Sequence, residues 1–210
     1  REIAACHHVP VRAVAGSIAD PAVVPALIAA AEAEGGLDAL FLNHGGAPVR
    51  PVLALTEAEW QAAFEMMVAG PLRILRAAVP LFRARGGGRV AAVSSFTVRT
   101  PTPGNALSNS LRAALVNALR TAAQELGPDN ILINAIGPGY FATESLAAWN
   151  AASAAARGRS PAEVAEEATA AIPLRRYGQP ADFGRLAAFL LSEDNAYVSG
   201  QHILIDGALA

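Results

Sequence analysis

Short apolar runs that end in turn residues alternate along this chain of 210 residues with longer stretches of helical periodicity. The runs predict five strands, at residues 11–15, 37–43, 89–94, 131–136 and 201–205. The periodic stretches predict five helices, at residues 21–34, 57–85, 104–126, 142–159 and 182–191. Strands of near-continuous apolar character, separated by helices, indicate a parallel sheet with helices on both faces. The sequence therefore predicts an α/β fold, a doubly wound parallel sheet of Rossmann type, as one domain over residues 1–210.

Helix-capping residues and prolines mark two of these helices. Asp20 followed by Pro21 predicts the start of the first helix, because aspartate accepts hydrogen bonds from a first turn and proline fits its first position. Pro71 and Pro80 lie within the second helical pattern. They predict a kink or a break there, because proline has no backbone N–H to donate.

Composition and charge restrict the class of protein. Hydrophobic residues make up 53% of the chain and charged residues 16%, which predicts a globular protein. A net charge of −2 gives no electrostatic reason to expect binding to nucleic acid or to an anionic membrane. No apolar run reaches the roughly 18 residues that a membrane span needs. The single cysteine, Cys6, excludes an internal disulfide, and with no signal peptide in view we expect a cytoplasmic protein.

Polar and small residues follow three of the predicted strands, and ligands of such sheets bind at the carboxyl ends of the strands. The tetrapeptide NHGG at 43–46 indicates either a tight turn or a backbone wall beside a flat cofactor. The pair Ser94-Ser95 indicates either a cap or a hydroxyl that polarises a substrate carbonyl. GPGY at 137–140 redirects the chain at the same edge, and Thr143 either caps the next helix or binds a ligand amide.

In their order along the chain, these segments resemble the short-chain dehydrogenase/reductase family, and within it the reductases of 3-oxoacyl and related carbonyl substrates. The resemblance covers essentially all 210 residues. It rests on NHGG at 43–46, GRVAAVSS at 88–95, RAAL at 112–115, INAIGPG at 133–139, GQP at 178–180, VSGQ at 198–201 and DG at 206–207. It implies NAD or NADP as cofactor, a small carbonyl or alcohol substrate, and a homodimer or homotetramer. It implies no metal.

The family's glycine-rich turn TGxxxGxG, which binds the cofactor pyrophosphate at a helix N-terminus, does not occur in this sequence. By analogy with the family, we expect about 30–40 further residues before Arg1. The strands and turn of that segment would complete the sheet.

Four further positions differ from the family pattern and one matches it. The family's catalytic Tyr aligns with Ser108, its Lys with Arg112, and the Asn of its long helix with Met67. Its adenine-contacting Asp aligns with Ser17, whereas its catalytic Ser is kept as Ser95. The resemblance therefore implies an active site with an altered acid.

The exchange of a phenol for an aliphatic hydroxyl has a large chemical cost. A tyrosine pKa near 10 can be lowered by an adjacent cation, whereas the hydroxyl of Ser108 is a far weaker acid. Loss of a general acid typically slows a reaction by about 10²–10⁴-fold. Arg112 keeps a positive charge but cannot act as a tunable proton donor. His44 and Tyr140 both follow predicted strands at the edge of the sheet where a ligand would bind, so each is a candidate for a substitute acid.

Three functions remain open. The first is an NAD(P)-dependent oxidoreductase that acts on a carbonyl or alcohol substrate with atypical catalytic residues. The second is a catalytically impaired homologue that binds the cofactor or serves as a scaffold. The third is a non-redox lyase that resembles the halohydrin dehalogenases, whose site uses Ser, Tyr and Arg; Arg112 fits that pattern but Ser108 does not.

The resemblance assigns each site residue a role. Catalysis is assigned to Ser95, Ser108 and Arg112. Cofactor binding is assigned to eight residues: Ser17, Asn43, Gly45, Gly46, Arg112, Pro138, Gly139 and Thr143.

Overall fold

A single parallel sheet organises the protein, whose structure is a computed structural model that describes residues 8–210. Its four strands lie in the order of the chain: β1 (Ala39–Leu42), β2 (Gly88–Val93), β3 (Ile131–Pro138) and β4 (His202–Ile205). Each neighbouring pair is parallel, and helical segments make the crossovers. The prediction of an α/β fold with a parallel, Rossmann-like sheet is confirmed.

Seven α-helices flank this sheet within residues 8–210. They are α1 (Val23–Ala33), α2 (Glu57–Phe64), α3 (Gly70–Ala84), α4 (Ala106–Leu126), α5 (Glu144–Arg157), α6 (Pro161–Ala171) and α7 (Pro180–Leu191). No helix in this part of the chain is both long and apolar enough to cross a membrane. The extent of the domain, 1–210, and the cytoplasmic location stay predictions, and Cys6 lies outside the described residues.

Both faces of the sheet are covered, because successive side chains of a strand point to opposite sides. Val90 and Ala92 of β2 pack into the larger core with α1, α3 and α4, whereas Ala91 between them packs against α7. The residues of β3 divide in the same way. This double cover explains why the strands are apolar almost without interruption.

Residues 11–15 do not form the predicted strand. They lie in irregular structure, and Val11 is exposed. A strand requires hydrogen bonds to a neighbouring strand, and no strand within residues 8–210 pairs with this segment. The helix that follows begins at Val23 rather than at Pro21, although Asp20 does accept a hydrogen bond from the N–H of Ala22, at 2.9 Å.

The long helical pattern at 57–85 is interrupted, as its prolines predict, but the interruption precedes Pro71. A π-helical segment, Glu65–Ala69, separates α2 from α3, and Pro71 occupies the first turn of α3. Pro80 lies inside α3 without ending it. A π turn is a common site of bending and is frequent near functional sites. Here it carries Met67, for which the resemblance predicts the place of the family's Asn.

Helix α6 was not among the predicted helices. Its start is nevertheless encoded locally: the Ser160 hydroxyl accepts from the N–H of Glu163 at 3.2 Å, and the Glu163 carboxylate accepts from the N–H of Ser160 at 2.8 Å. This is a capping box followed by proline at the first position. The other predicted elements agree with the structure to within two residues at most ends.

Candidate active site

A cavity of about 690 Å³ opens at the carboxyl ends of the strands. It brings together six residues that the sequence singled out, and these are Asn43, Ser95, Pro138, Gly139, Tyr140 and Thr143. They come from the ends of three different strands and from the N-cap of α5. This is the edge at which ligands of open parallel sheets bind.

Ser95 is arranged as a hydrogen-bond donor to whatever occupies the cavity. Its Oγ accepts one hydrogen bond from the N–H of Thr97, at 3.1 Å, and one from the hydroxyl of Thr97, at 3.0 Å. A serine hydroxyl has two acceptor positions and one proton. When the Thr97 hydroxyl is the donor in this pair, the proton of Ser95 is free to donate to a ligand in the cavity.

Ser108 and Arg112 form a hydrogen-bonded pair on α4. The Arg112 Nε donates to Ser108 Oγ at 3.2 Å, and the Arg112 Nη1 donates to the carbonyls of Val93 and Ser94, at 3.2 and 2.9 Å. Burial lowers the pKa of Arg112, yet a guanidinium remains charged at neutral pH. Arg112 therefore binds the carboxyl end of β2 to α4, directly beside the cavity. Neither Ser108 nor Arg112 lines the cavity itself.

His44 is a buried and neutral neighbour of this pair. Its side chain is 7% exposed, and Nδ1 lies 2.9 Å from the carbonyl of Gly45. Desolvation is the main cause that lowers its pKa below 6.5, and the charge of Arg112 lowers the pKa further. Its Nε2 is buried and has no hydrogen-bond partner among the described residues. These properties do not suit an acid that must deliver a proton to the cavity, which His44 does not line.

The depressed pKa of His44 makes stability depend on pH. Below pH 6.5 the unfolded chain binds a proton at His44 that the folded protein excludes until the pH reaches the lower pKa of the folded state. The free energy of unfolding is therefore highest, as far as His44 is concerned, above pH 6.5, and it decreases as the pH falls below 6.5. Each pKa unit of depression is equivalent to about 1.4 kcal/mol. Urea unfolding at pH 7.5 and 5.5 should show this loss, and a His44→Asn variant should lose less. An equal loss in the variant would contradict the assignment. His202, whose pKa is lowered by burial and by Arg120, contributes in the same direction.

The Met67 position carries no polar group toward the site. Its side chain is fully buried and packs with Ala63, Val68, Leu107 and Leu111 in a small apolar cluster. A methionine in such a cluster fills space and cannot hold a water by a strong hydrogen bond. The π-helical segment thus contributes packing beneath the site.

The residues predicted to bind a cofactor fall into two groups. Asn43, Pro138, Gly139 and Thr143 line the cavity together. The Thr143 hydroxyl caps α5 by accepting from the N–H of Leu146 at 3.3 Å, so its proton remains available to a ligand amide. A neutral planar ring that bears a carboxamide, such as nicotinamide, suits this set of apolar surface and neutral polar groups.

The remaining predicted cofactor residues lie outside the cavity. Gly45 and Gly46 follow Asn43 and are exposed, and a Cβ added at Gly46 would meet nothing within 4 Å. Ser17 is exposed, and its hydroxyl accepts from the N–H of Ala19 at 3.2 Å. Their assigned roles toward a cofactor stay predictions. No cluster of metal-binding side chains occurs in the part of the chain that the structure describes.

The sequence analysis missed the aromatic lining of the cavity. Six of the chain's twelve aromatic residues contribute to it, and they are Phe41, Phe96, Tyr140, Phe141, Trp149 and Phe183. They come from β1, from the turn after β2, from the loop after β3, from α5 and from α7. No local sequence pattern connects positions so far apart in the chain. Only two of these residues could be predicted from their neighbours, because Phe96 follows Ser95 and Tyr140 follows the turn Pro138-Gly139.

Comparison with known proteins gives a consistent family assignment. A family model described as enoyl-(acyl carrier protein) reductase matches residues 1–209. The human protein "Dehydrogenase/reductase SDR family member 4" is 32% identical over 183 residues, which cover 85% of this chain and 61% of that protein. The chain thus spans less than two thirds of the length of this relative.

Solved structures agree in fold and name two cofactors. L-sorbose reductase from Gluconobacter frateurii, complexed with NADPH and L-sorbose, superimposes with a TM-score of 0.94 at 27% identity, over 99% of this chain and 80% of that one. A 7α-hydroxysteroid dehydrogenase complexed with NADH and 7-oxo glycochenodeoxycholic acid gives a TM-score of 0.80 at 27% identity, over 91% of this chain and 71% of that one.

Proposed function

Since the chain belongs to the short-chain dehydrogenase/reductase family, we propose that it is an NAD(P)-dependent oxidoreductase that acts on a carbonyl or alcohol substrate with atypical catalytic residues. The observation that carries this proposal is the hydroxyl of Ser95, which lines the cavity and is held by two hydrogen bonds with Thr97. A fixed hydroxyl donor stabilises the negative charge that develops on a carbonyl oxygen during reduction.

The other proposed roles follow from the same contacts. When bound, the nicotinamide ring supplies or accepts the hydride. Asn43, Pro138, Gly139 and Thr143 would hold that ring against the strand ends. Arg112 would bind the neighbouring ribose through Nη2, which makes no hydrogen bond within residues 8–210, since its Nε and Nη1 are used internally.

Ser108 is proposed as a weak donor to the substrate oxygen. Arg112 donates to its Oγ, so the proton of Ser108 stays free. A guanidinium that donates to a hydroxyl raises the acidity of that hydroxyl, but an alkyl alcohol stays a poorer acid than a phenol. We therefore expect slow turnover. The proposal covers both NAD and NADP, because the residues present exclude neither cofactor.

A direct assay tests this function. Purified protein is incubated with NADPH or NADH, and both the melting temperature and the oxidation of the cofactor are followed over a panel of ketones. A rise in melting temperature together with cofactor oxidation that needs a ketone would support the proposal. Release of halide from a halohydrin without any nicotinamide cofactor would instead support the lyase hypothesis.

A homologue that binds the cofactor without turnover is the second candidate function. It is favoured by one observation, namely that Ser108 does not line the cavity although the family's acid would. Cofactor binding without oxidation over the whole ketone panel would establish it. We also propose a cytoplasmic location for either function.

Self-association is proposed as a homodimer or homotetramer. The groove between α3 and α4 presents partly exposed apolar side chains, among them Leu72 and Val79, and the small residues Ala118 and Ala122 lie on its α4 side. Small residues allow close helix packing. A purely monomeric profile in sedimentation velocity would refute this proposal.

A further inference from the structure

The lining of the cavity carries no formal charge. It contains aromatic and aliphatic side chains together with neutral hydroxyl and amide groups, and no Asp, Glu or Arg. A charged group that entered such a lining would lose hydration without gaining a counter-ion, which is costly. The cavity therefore favours uncharged ligands.

Three aromatic side chains form a wall on the side of the cavity next to Ser95, which we call the Trp149 wall. It consists of Phe96, Tyr140 and Trp149. The ring centroids of Phe96 and Tyr140 lie 5.6 Å apart, and those of Tyr140 and Trp149 lie 6.5 Å apart with an interplanar angle of 23°. These separations are typical of interacting aromatic rings.

The wall has unused capacity to bind a further ring. Trp149 is 49% exposed although it stacks on Tyr140, so part of the indole surface is free. The hydroxyl of Tyr140 makes no hydrogen bond to any group in residues 8–210, and burial with the neighbouring Tyr177 raises its pKa, which keeps the ring neutral. Another aromatic ring would find both stacking surface and edge contacts here.

The position of the wall beside Ser95 indicates where an aromatic ring would be attached to the carbonyl group of a ligand. Phe96 directly follows Ser95, and Ser95 caps the turn Phe96–Val98. Because Ser95 and Phe96 both line the cavity, a ketone whose oxygen accepts from Ser95 occupies the same cavity as the Phe96 end of the wall. From these contacts we infer that the site takes an uncharged ketone whose carbonyl group is conjugated to an aromatic ring, and that Trp149 is a residue that determines this specificity. The inference rests on the proposed function for the role of Ser95.

Calorimetric titration tests the substrate class without requiring turnover. The ligands are acetophenone, cyclohexyl methyl ketone and 4-acetylbenzoate, which share the carbonyl group and ring size and differ in aromaticity or charge. NADP⁺ or NAD⁺ is present, since neither can reduce a ketone. Acetophenone should bind about 2–10-fold more tightly than the cyclohexyl compound, the ratio expected for one additional aromatic contact. The carboxylate should bind more weakly than both.

Variants of the wall separate specificity from general packing. In Trp149→Leu the preference for acetophenone should disappear, and in Trp149→Phe it should be kept. Tyr197→Leu, which removes an aromatic ring that is 98% exposed and not part of the lining, serves as the control and should leave the preference unchanged.

The outcomes are distinguishable from those of the enzyme assay. Equal affinity for the two uncharged ketones, tight binding of 4-acetylbenzoate, a preference that survives in Trp149→Leu, or no binding of any ketone would each overturn the inference. A phenyl preference that depends on Trp149, in a protein that oxidises no cofactor, would support the inferred ligand class while refuting the proposed redox activity.

Discussion

Replacing Ser108 with Tyr and Arg112 with Lys together is expected to raise the rate of ketone reduction by about 10²–10⁴-fold, the range that a general acid contributes. The physical reason is acidity and reach. A phenol beside an ammonium group has a pKa that can be lowered toward neutrality, and its ring extends farther from α4 than the short side chain of Ser108. The measurement is cofactor oxidation under saturating ketone, in wild type and variant.

The control for this experiment keeps the ring and removes the acid. Ser108→Phe with Arg112→Lys has nearly the same volume as the double variant but no hydroxyl, so it should show no gain. If the phenylalanine variant gained as much as the tyrosine variant, the effect would be one of packing. Melting temperatures are needed as well, because Lys cannot reproduce the donors that Arg112 supplies to Val93 and Ser94.

Loss of the hydroxyl in Ser95→Ala is expected to lower kcat/KM by about 10²–10³-fold, the usual effect of removing one fixed donor to a developing oxyanion. Two hydrogen bonds with Thr97 hold the Ser95 oxygen at the cavity lining before the ligand arrives. Steady-state kinetics measure the change. If wild-type turnover is too slow for accuracy, the Ser108→Tyr, Arg112→Lys background gives a higher starting rate.

The neighbouring serine provides a matched control. Ser94 is 2% exposed, and its Oγ has no hydrogen-bond partner within the described residues. Ser94→Ala removes a hydroxyl that is one residue away but absent from the cavity lining, so kcat/KM should change little. Similar losses in Ser94→Ala and Ser95→Ala would argue against a specific role for Ser95.

Local sequence patterns predicted most of the fold. Apolar runs located β1 to β4 because β2 and β3 are largely buried by helices and β1 and β4 pack partly against the same core clusters. Residues 11–15 have a similar pattern but are mostly exposed and form no strand, because no strand within residues 8–210 pairs with them. Helix α6 could have been predicted from Ser160 and Glu163, whose spacing is that of a capping box.

The candidate site was predictable only where its residues follow strands. Ser95, Asn43 and Pro138 end strands, so the sheet itself brings them to one edge. Trp149 reaches the same cavity from α5, a helix whose position depends on tertiary packing, and no spacing rule connects it to Ser95. The sequence predicted that Ser108 takes the place of the family's acid, but only the coordinates show that it lies outside the lining.

The hydrogen bonds of Arg112 tie its structural role to that of Ser108. One guanidinium donates hydrogen bonds to two successive carbonyls at the end of β2 and to the oxygen of Ser108. A tyrosine at position 108 would compete with it for the same space. A lysine at position 112 would leave one carbonyl without a hydrogen bond. The two positions therefore act as one unit, and the effects of exchanging them singly on the free energy of unfolding should not add up to the effect of exchanging both.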